Sequence, residues 1–162
     1  MFDKFGEFDS VEELNKAAAG LKEEGDTEAL FQLAEENGID REDAADYADG
    51  CTEELATLSM AAYGRLEVEE KQYRARDAQE YMILKVILMM LRGLLREDTV
   101  AAAVLKKGKR VSVIYDKLKA EAKKHQSGGC GVSCGTDQQL KEIIRAYYLD
   151  DKLEQKIAAL YE

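Results

Sequence analysis

The sequence has no proline and no tryptophan among its 162 residues. Proline inside a helix costs about 3 kcal/mol through a lost hydrogen bond and a steric clash. Its complete absence predicts uninterrupted helices. A single histidine, His125, leaves little scope for imidazole acid–base chemistry. The GxSxG, HExxH, Walker and dinucleotide patterns are all missing. No enzyme activity and no cofactor is expected. Three cysteines, an odd number, form no disulfide framework of the secreted kind. The longest apolar run, Tyr81 to Leu91, contains Lys85 and ends at Arg92. It is short of the roughly 20 residues that cross a bilayer. The polar, acidic opening MFDKFGEFDS is unlike a signal peptide. These absences predict a cytoplasmic protein with no membrane contact.

Charge is plentiful but unevenly placed. The net charge is -10. Residues 1–70 hold 21 acidic and 5 basic side chains, whereas residues 71–162 hold 12 and 18. Such an asymmetry suits two different kinds of partner. The apolar content of 46% is enough for a packed core.

Helix signals run along the whole chain. Ser10 and Glu13 form a capping box, followed by Val11, Leu14, Ala18 and Leu21 at spacings of three and four. Gly25 closes that helix, and Asp26 opens another, with Leu30, Leu33 and Ala34 inside. Asn37-Gly38 ends it, and Asp40 starts a third that stops at Asp49-Gly50. Thr52 is placed to cap a fourth segment striped by Leu55, Leu58, Ala62 and Leu66. Gly64 predicts a break near 64–67, and a long helix is expected from Glu69 to Arg96. Its second half, YMILKVILMMLRGLL, is apolar on nearly every side, which marks 81–95 as the buried central helix. Further helices are expected from Asp98 or Thr99 to Leu105, around Val111–Gln126, after Thr136, and from Asp150 or Asp151. SGGCGVSCGT (127–136) reads as a flexible, metal-free loop. The fold class is all-α: a multi-helix domain with a long buried central helix, an acidic N-terminal region (1–66) and a basic C-terminal region (67–162).

Three constellations carry chemistry. His125, Cys130 and Cys134 are zinc-ligand types within ten residues, but a fourth ligand and paired CxxC knuckles are lacking. A glycine-rich surface loop with reduced thiols is the preferred reading, with no metal. Lys106, Lys107, Lys109, Arg110, Lys117, Lys119, Lys123 and Lys124 form a basic cluster suited to phosphates, or else a solvated helix face. The acidic residues of the first fifty positions, among them Glu12, Glu13, Glu23, Glu24, Glu35, Glu36 and Asp43, can imitate a phosphate backbone in a partner's basic groove. The alternative there is solubility alone.

The C-terminal pattern Val104-Leu105-Lys106, Lys109, Tyr115, Ala122-Lys123-Lys124, Asp137, Ile143-Ile144 and Tyr147-Tyr148 resembles the PcfK-like proteins of conjugative elements over about residues 100–152. The chain differs from that pattern in its Gly/Cys loop and in having no tryptophan before the paired tyrosines. The N-terminal string EFDSVEELNKAAAGLKEEGD…LAEENGID is similar to small accessory proteins of mobile elements. The resemblance implies an anti-CRISPR protein of a mobile genetic element. Its partner would be a type II CRISPR effector nuclease or its guide complex, met through the acidic residues, with DNA engagement or cleavage blocked. The alternative is a DNA-binding accessory protein of conjugation, acting through Lys106, Lys107, Lys109, Arg110, Lys123 and Lys124.

Overall fold

The computed structural model describes residues 3–126, 128 and 132–162. Among the described residues the chain forms nine α-helices and no strand. They are α1 (Val11–Glu24), α2 (Thr27–Glu36), α3 (Arg41–Ala48), α4 (Leu58–Gln72), α5 (Ala78–Leu94), α6 (Asp98–Leu105), α7 (Val111–Lys124), α8 (Asp137–Tyr148) and α9 (Leu153–Ala158). A single 3-10 turn, Ala159–Tyr161, follows α9. The all-α expectation is met. By contact the helices gather into two units, each discontinuous in sequence. One comprises residues 1–73 and 95–108, the other residues 74–94 and 109–162.

The first unit packs α1, α2, α3, α4 and α6. Ser10 Oγ accepts from Glu13 N at 3.2 Å, while the Glu13 carboxylate reaches back to Asp9 N at 2.9 Å. This satisfies backbone donors that the first helical turn leaves unpaired, at about 1 kcal/mol per cap. Gly25 closes α1 in the left-handed conformation. Leu14, Ala18, Leu30, Leu33, Ala44 and Leu55 meet in one apolar cluster. Asn15 clamps the non-helical stretch before α4: its amide donates to Ala56 O at 2.8 Å and accepts from Ala56 N at 3.1 Å.

α4 departs from expectation at both ends. Thr57, not Thr52, caps it, accepting from Met60 N at 3.3 Å. The helix then runs through Gly64 without a break. Gly64 is required because the Asn37-Gly38 turn of α2 packs directly on it. The break falls instead at 73–77. Asp77 Oδ1 accepts from Glu80 N at 2.8 Å, and Glu80 Oε2 accepts from Arg76 N at 2.7 Å. The D-x-x-E spacing in RDAQE is the sequence signal for this start of α5.

The second unit packs α5, α7, α8 and α9. Leu84, Ile87, Leu88, Leu91 and Leu94 of α5 are buried, as are Ile114, Tyr115 and Leu118 of α7 and Ile143, Ile144 and Tyr148 of α8. The all-round burial expected for 81–95 is corrected: Tyr81, Met82, Val86 and Met89 are exposed. α5 buries one face, like any amphipathic helix, and its outer face is apolar as well. Glu80, fully buried, receives the Arg76 guanidinium at 2.9 and 2.8 Å, and Arg76 also meets Asp116 at 2.5 Å. These two carboxylates stabilise the charged guanidinium and push its pKa up. Thr136 and Gln139 form the expected capping box of α8. Lys152, in the left-handed conformation, precedes α9 in place of a capping aspartate.

Candidate functional site

A concave feature lies in the first unit, where the α2–α3 turn, α3, the segment before α4 and α4 itself line a groove. Its widest part, about 540 Å³, is bordered by Phe31, Glu35, Asp40, Arg41, Tyr63, Glu67 and Lys71. It runs on past Asp43, Ser59 and Met60 into a further 260 Å³, and then past Glu53, Glu54, Leu55 and Thr57 into another 330 Å³. Shared lining residues join the three parts: Gly38, Ile39, Asp40 and Tyr63 first, then Asp43 and Met60.

Local folding explains why charge collects there. Asp40 is the N-cap residue of α3 and Asp43 stands in its first turn, where carboxylates complement the positive end of the helix dipole. Tyr63, Glu67 and Lys71 repeat at i, i+4 and i+8 along α4, beside its buried stripe of Ala62, Leu66 and Glu69. The Arg41 guanidinium lies over the Phe31 ring, its Cζ 4.4 Å from the ring centroid. Six carboxylates, from Glu35, Asp40, Asp43, Glu53, Glu54 and Glu67, thus face two cations, Arg41 and Lys71. The apolar floor is Ile39, Met60 and Tyr63, the last 47% exposed. Carboxylates around an aromatic and a methionine form a receptor for lysine or arginine: charge at the rim, stem on the floor.

The acidic residues singled out from sequence divide three ways. Glu12, Glu13, Glu23 and Glu24 stand exposed on α1, on the side away from Val11, Leu14 and Ala18. Glu35 and Asp43 line the groove. Glu36 is a structural tie, accepting from Lys4 N at 3.0 Å and Phe5 N at 3.2 Å. Asp40, another acidic residue of the first fifty positions, lines it too, whereas Glu53, Glu54, Met60, Tyr63 and Glu67 lie outside the acidic set read from the sequence. The off-stripe repeat of Tyr63, Glu67 and Lys71 is the one signal in the sequence that points to them.

The basic cluster is divided between the two units. Lys106 and Lys107 belong to the first unit, the remainder to the second. Lys106 Nζ is 3.8 Å from Asp9, whose carboxyl is held below its usual pKa, first by the hydrogen bond from Lys107 N. Lys109 Nζ donates to Tyr147 O at 2.9 Å and Asp150 at 2.6 Å, and Arg110 N donates to Tyr147 Oη at 2.9 Å. Lys117 pairs with Glu154 at 2.5 Å and Lys124 with Glu121 at 2.7 Å. Helical geometry puts Lys117 and Lys124 on one flank of α7 and Lys119 and Lys123 on the other.

The candidate metal ligands are likewise drawn elsewhere. His125 stacks on Tyr161, with centroids 4.4 Å apart and planes at 7°, and its Nε2 is 3.1 Å from Glu121. Lys124 and then His125 hold the Glu121 carboxyl below its ordinary value. Cys134 is partly buried, and burial pushes its thiol up. Cys130 lies outside the described residues, as do Ser127, Gly129 and Gly131 of the glycine-rich loop. Among the described residues no three His, Cys, Asp or Glu side chains converge to hold a metal. No helix there is long and apolar enough to cross a membrane.

Compared with known proteins, the chain matches no family model, no curated protein sequence and no solved structure.

Proposed function

We propose that the protein is a binding protein, not an enzyme, whose acidic groove receives a lysine- or arginine-rich segment of a partner protein. The observation that carries this reading is the convergence of six carboxylates around Tyr63 and Met60. In the setting implied by the resemblance to mobile-element proteins, the partner is a type II CRISPR effector nuclease or its guide complex in the cytoplasm. Such nucleases hold their heteroduplex in a positive channel and read the flanking duplex through arginines. An acidic groove seated there competes with DNA for the same cations. The DNA-accessory alternative has less to rest on, because Lys106, Lys109, Lys117 and Lys124 already face carboxylates of this chain.

Single exposed ion pairs contribute on the order of 0–1 kcal/mol, so the test is a multiple substitution. Asp40→Asn, Asp43→Asn, Glu53→Gln and Glu54→Gln together, with Tyr63→Ala as a second variant, are compared with Glu12, Glu13, Glu23 and Glu24 changed to Gln. Binding is measured by titration against an arginine-rich peptide and a purified type II nuclease, and inhibition by DNA cleavage. Both groove variants should weaken binding about tenfold or more at low salt. The α1 set should have a smaller effect. Equal binding by all variants sinks the groove reading. Peptide binding without nuclease inhibition keeps the groove and removes the CRISPR partner.

A further inference from the structure

Arg41 stands where a cation is unwelcome. It is the first residue of α3, next to the N-cap Asp40, and the helix dipole presents its positive end there. The Asp40 side chain makes no capping hydrogen bond to offset this. Glu35, Asp40 and Glu67 line the same 540 Å³ part of the groove, yet Arg41 forms no ion pair among the described residues. Its hold is the ring of Phe31 on α2, with Cζ 4.4 Å from the centroid. Helix propensity and ion pairing therefore leave the position of this guanidinium unexplained, and the aromatic face accounts for it.

The ring has a carboxylate beside it. Phe31 and Glu35 are four residues apart on α2 and so share a face. Phe31 packs against the core cluster and stays partly exposed, which fixes its ring in the groove wall. Glu35 is exposed and forms no ion pair among the described residues. A flat ring next to a carboxylate suits a guanidinium, which lays its plane on the ring and turns its fork of N–H donors to the carboxylate. An ammonium is a point charge and uses the carboxylate without the flat stacking. Arg41 takes the ring alone.

We propose, on the reading of the groove as a receptor for a basic segment, that Phe31 and Glu35 form its guanidinium subsite, and that Arg41 occupies the ring in the free protein as an internal competitor. The ligand class narrows from basic to arginine-bearing. A partner's arginine entering from solvent gains the ring and Glu35 together, and Arg41, itself exposed, gives way to it. An exposed cation–ring contact favours the stacked state roughly two- to fivefold. The ring is thus open in a minority of molecules, and the apparent affinity for an arginine falls by that fraction.

Calorimetric titration of the full chain with an arginine-rich peptide, and with a lysine peptide of equal length, tests this. Arg41→Gln should tighten the arginine peptide about three- to sixfold beyond any change given by Lys71→Gln, which removes the other cation of the same part of the groove. For the lysine peptide the two variants should act alike. In a Phe31→Leu background the excess should vanish. By NMR, the Arg41 side-chain protons, shifted by the Phe31 ring in the free wild type, should return to ordinary positions as the arginine peptide saturates. An Arg41→Gln gain no larger than that of Lys71→Gln overturns the subsite and leaves the groove reading in place. So do Arg41 protons that stay ring-shifted in the saturated complex. Absence of binding by either peptide to every variant overturns both. Should Phe31→Leu misfold, the Arg41→Gln excess and the NMR shifts decide.

Discussion

Gly38 and Gly64 touch backbone to backbone. A Cβ placed on Gly38 would lie 2.7 Å from Gly64 Cα, and one placed on Gly64 would lie 2.9 Å from Gly38 O. Neither neighbour is a side-chain tip that can swing away. This approach brings the α2–α3 turn onto α4 and so shapes the acidic groove where its first two parts join.

Gly64→Ala is therefore expected to be disruptive even though alanine is the better helix former. Gaining about 1 kcal/mol of helix propensity cannot offset forcing two backbones apart, which costs about 1–3 kcal/mol or more. Gly38→Ala adds strain at a φ of 67°. Gly20→Ala in α1, where nothing lies within 4 Å, is the contrast and should stabilise by roughly 0.5–1 kcal/mol. Thermal melts of the three variants check this. A Gly64→Ala protein melting at or above the wild type would show that the turn does not bear on α4.

What the sequence reveals and what it hides separate along the same lines. Caps and apolar spacing are local, so α1, α2, α3, α6, α7 and α8 are legible from Ser10, Asp26, Thr136 and their stripes. Gly64 reads as a weakness because its reason lies some 26 residues away in the chain, at Gly38. The uniformly apolar run of α5 cannot reveal which side is inward: Leu88 and Met89 are neighbours and equally apolar, yet Leu88 is buried and Met89 exposed. The groove is hidden for a related reason. Asp40, Glu54 and Glu67 are three among 33 acidic residues, and only tertiary packing sets them around Tyr63.

The ion pair between Lys156 and Glu142, at 2.8 Å, ties α9 to α8 and predicts a pH window. Lys156, and after it Gln138, hold the Glu142 carboxyl below its ordinary value of 4.5. Glu142 in turn raises the Lys156 ammonium above 10.5. A lowered carboxyl contributes stability that is present above the unfolded pKa and lost as pH falls through the folded one. A raised ammonium contributes stability that is present below its unfolded pKa and lost as pH rises through the folded one. The tie should thus hold between the two ordinary values and loosen beyond them. Hydrogen exchange, corrected for intrinsic rates, should show α9 amides opening selectively below pH 4.5. In Glu142→Gln the same amides should already be more open at neutral pH, with a flatter acid response. An acid response unchanged in that variant would place the sensitivity elsewhere.

Lys109 tests whether the basic cluster belongs to the fold or to nucleic acid. Its side chain is only 17% exposed, and its ammonium caps the last turn of α8 through Tyr147 O. Carbonyls at a helix C-terminus lack intrahelical donors, and a lysine there satisfies one of them and complements the negative end of the dipole. Charged hydrogen bonds of this kind contribute about 1.5–3 kcal/mol. Lys109→Gln should therefore lower the urea midpoint clearly. Lys123, exposed and with no ion pair among the described residues, should tolerate the same change within about 0.5 kcal/mol. The two variants part again on DNA. A phosphate-binding role would make both lower DNA affinity and reduce its salt slope by about one counterion each. A structural role makes Lys109→Gln lose stability while any weak DNA affinity, measured on protein that is still folded, stays put. Unchanged unfolding together with a reduced salt slope in Lys109→Gln would return the cluster to nucleic acid and favour the DNA-accessory alternative over the acidic groove.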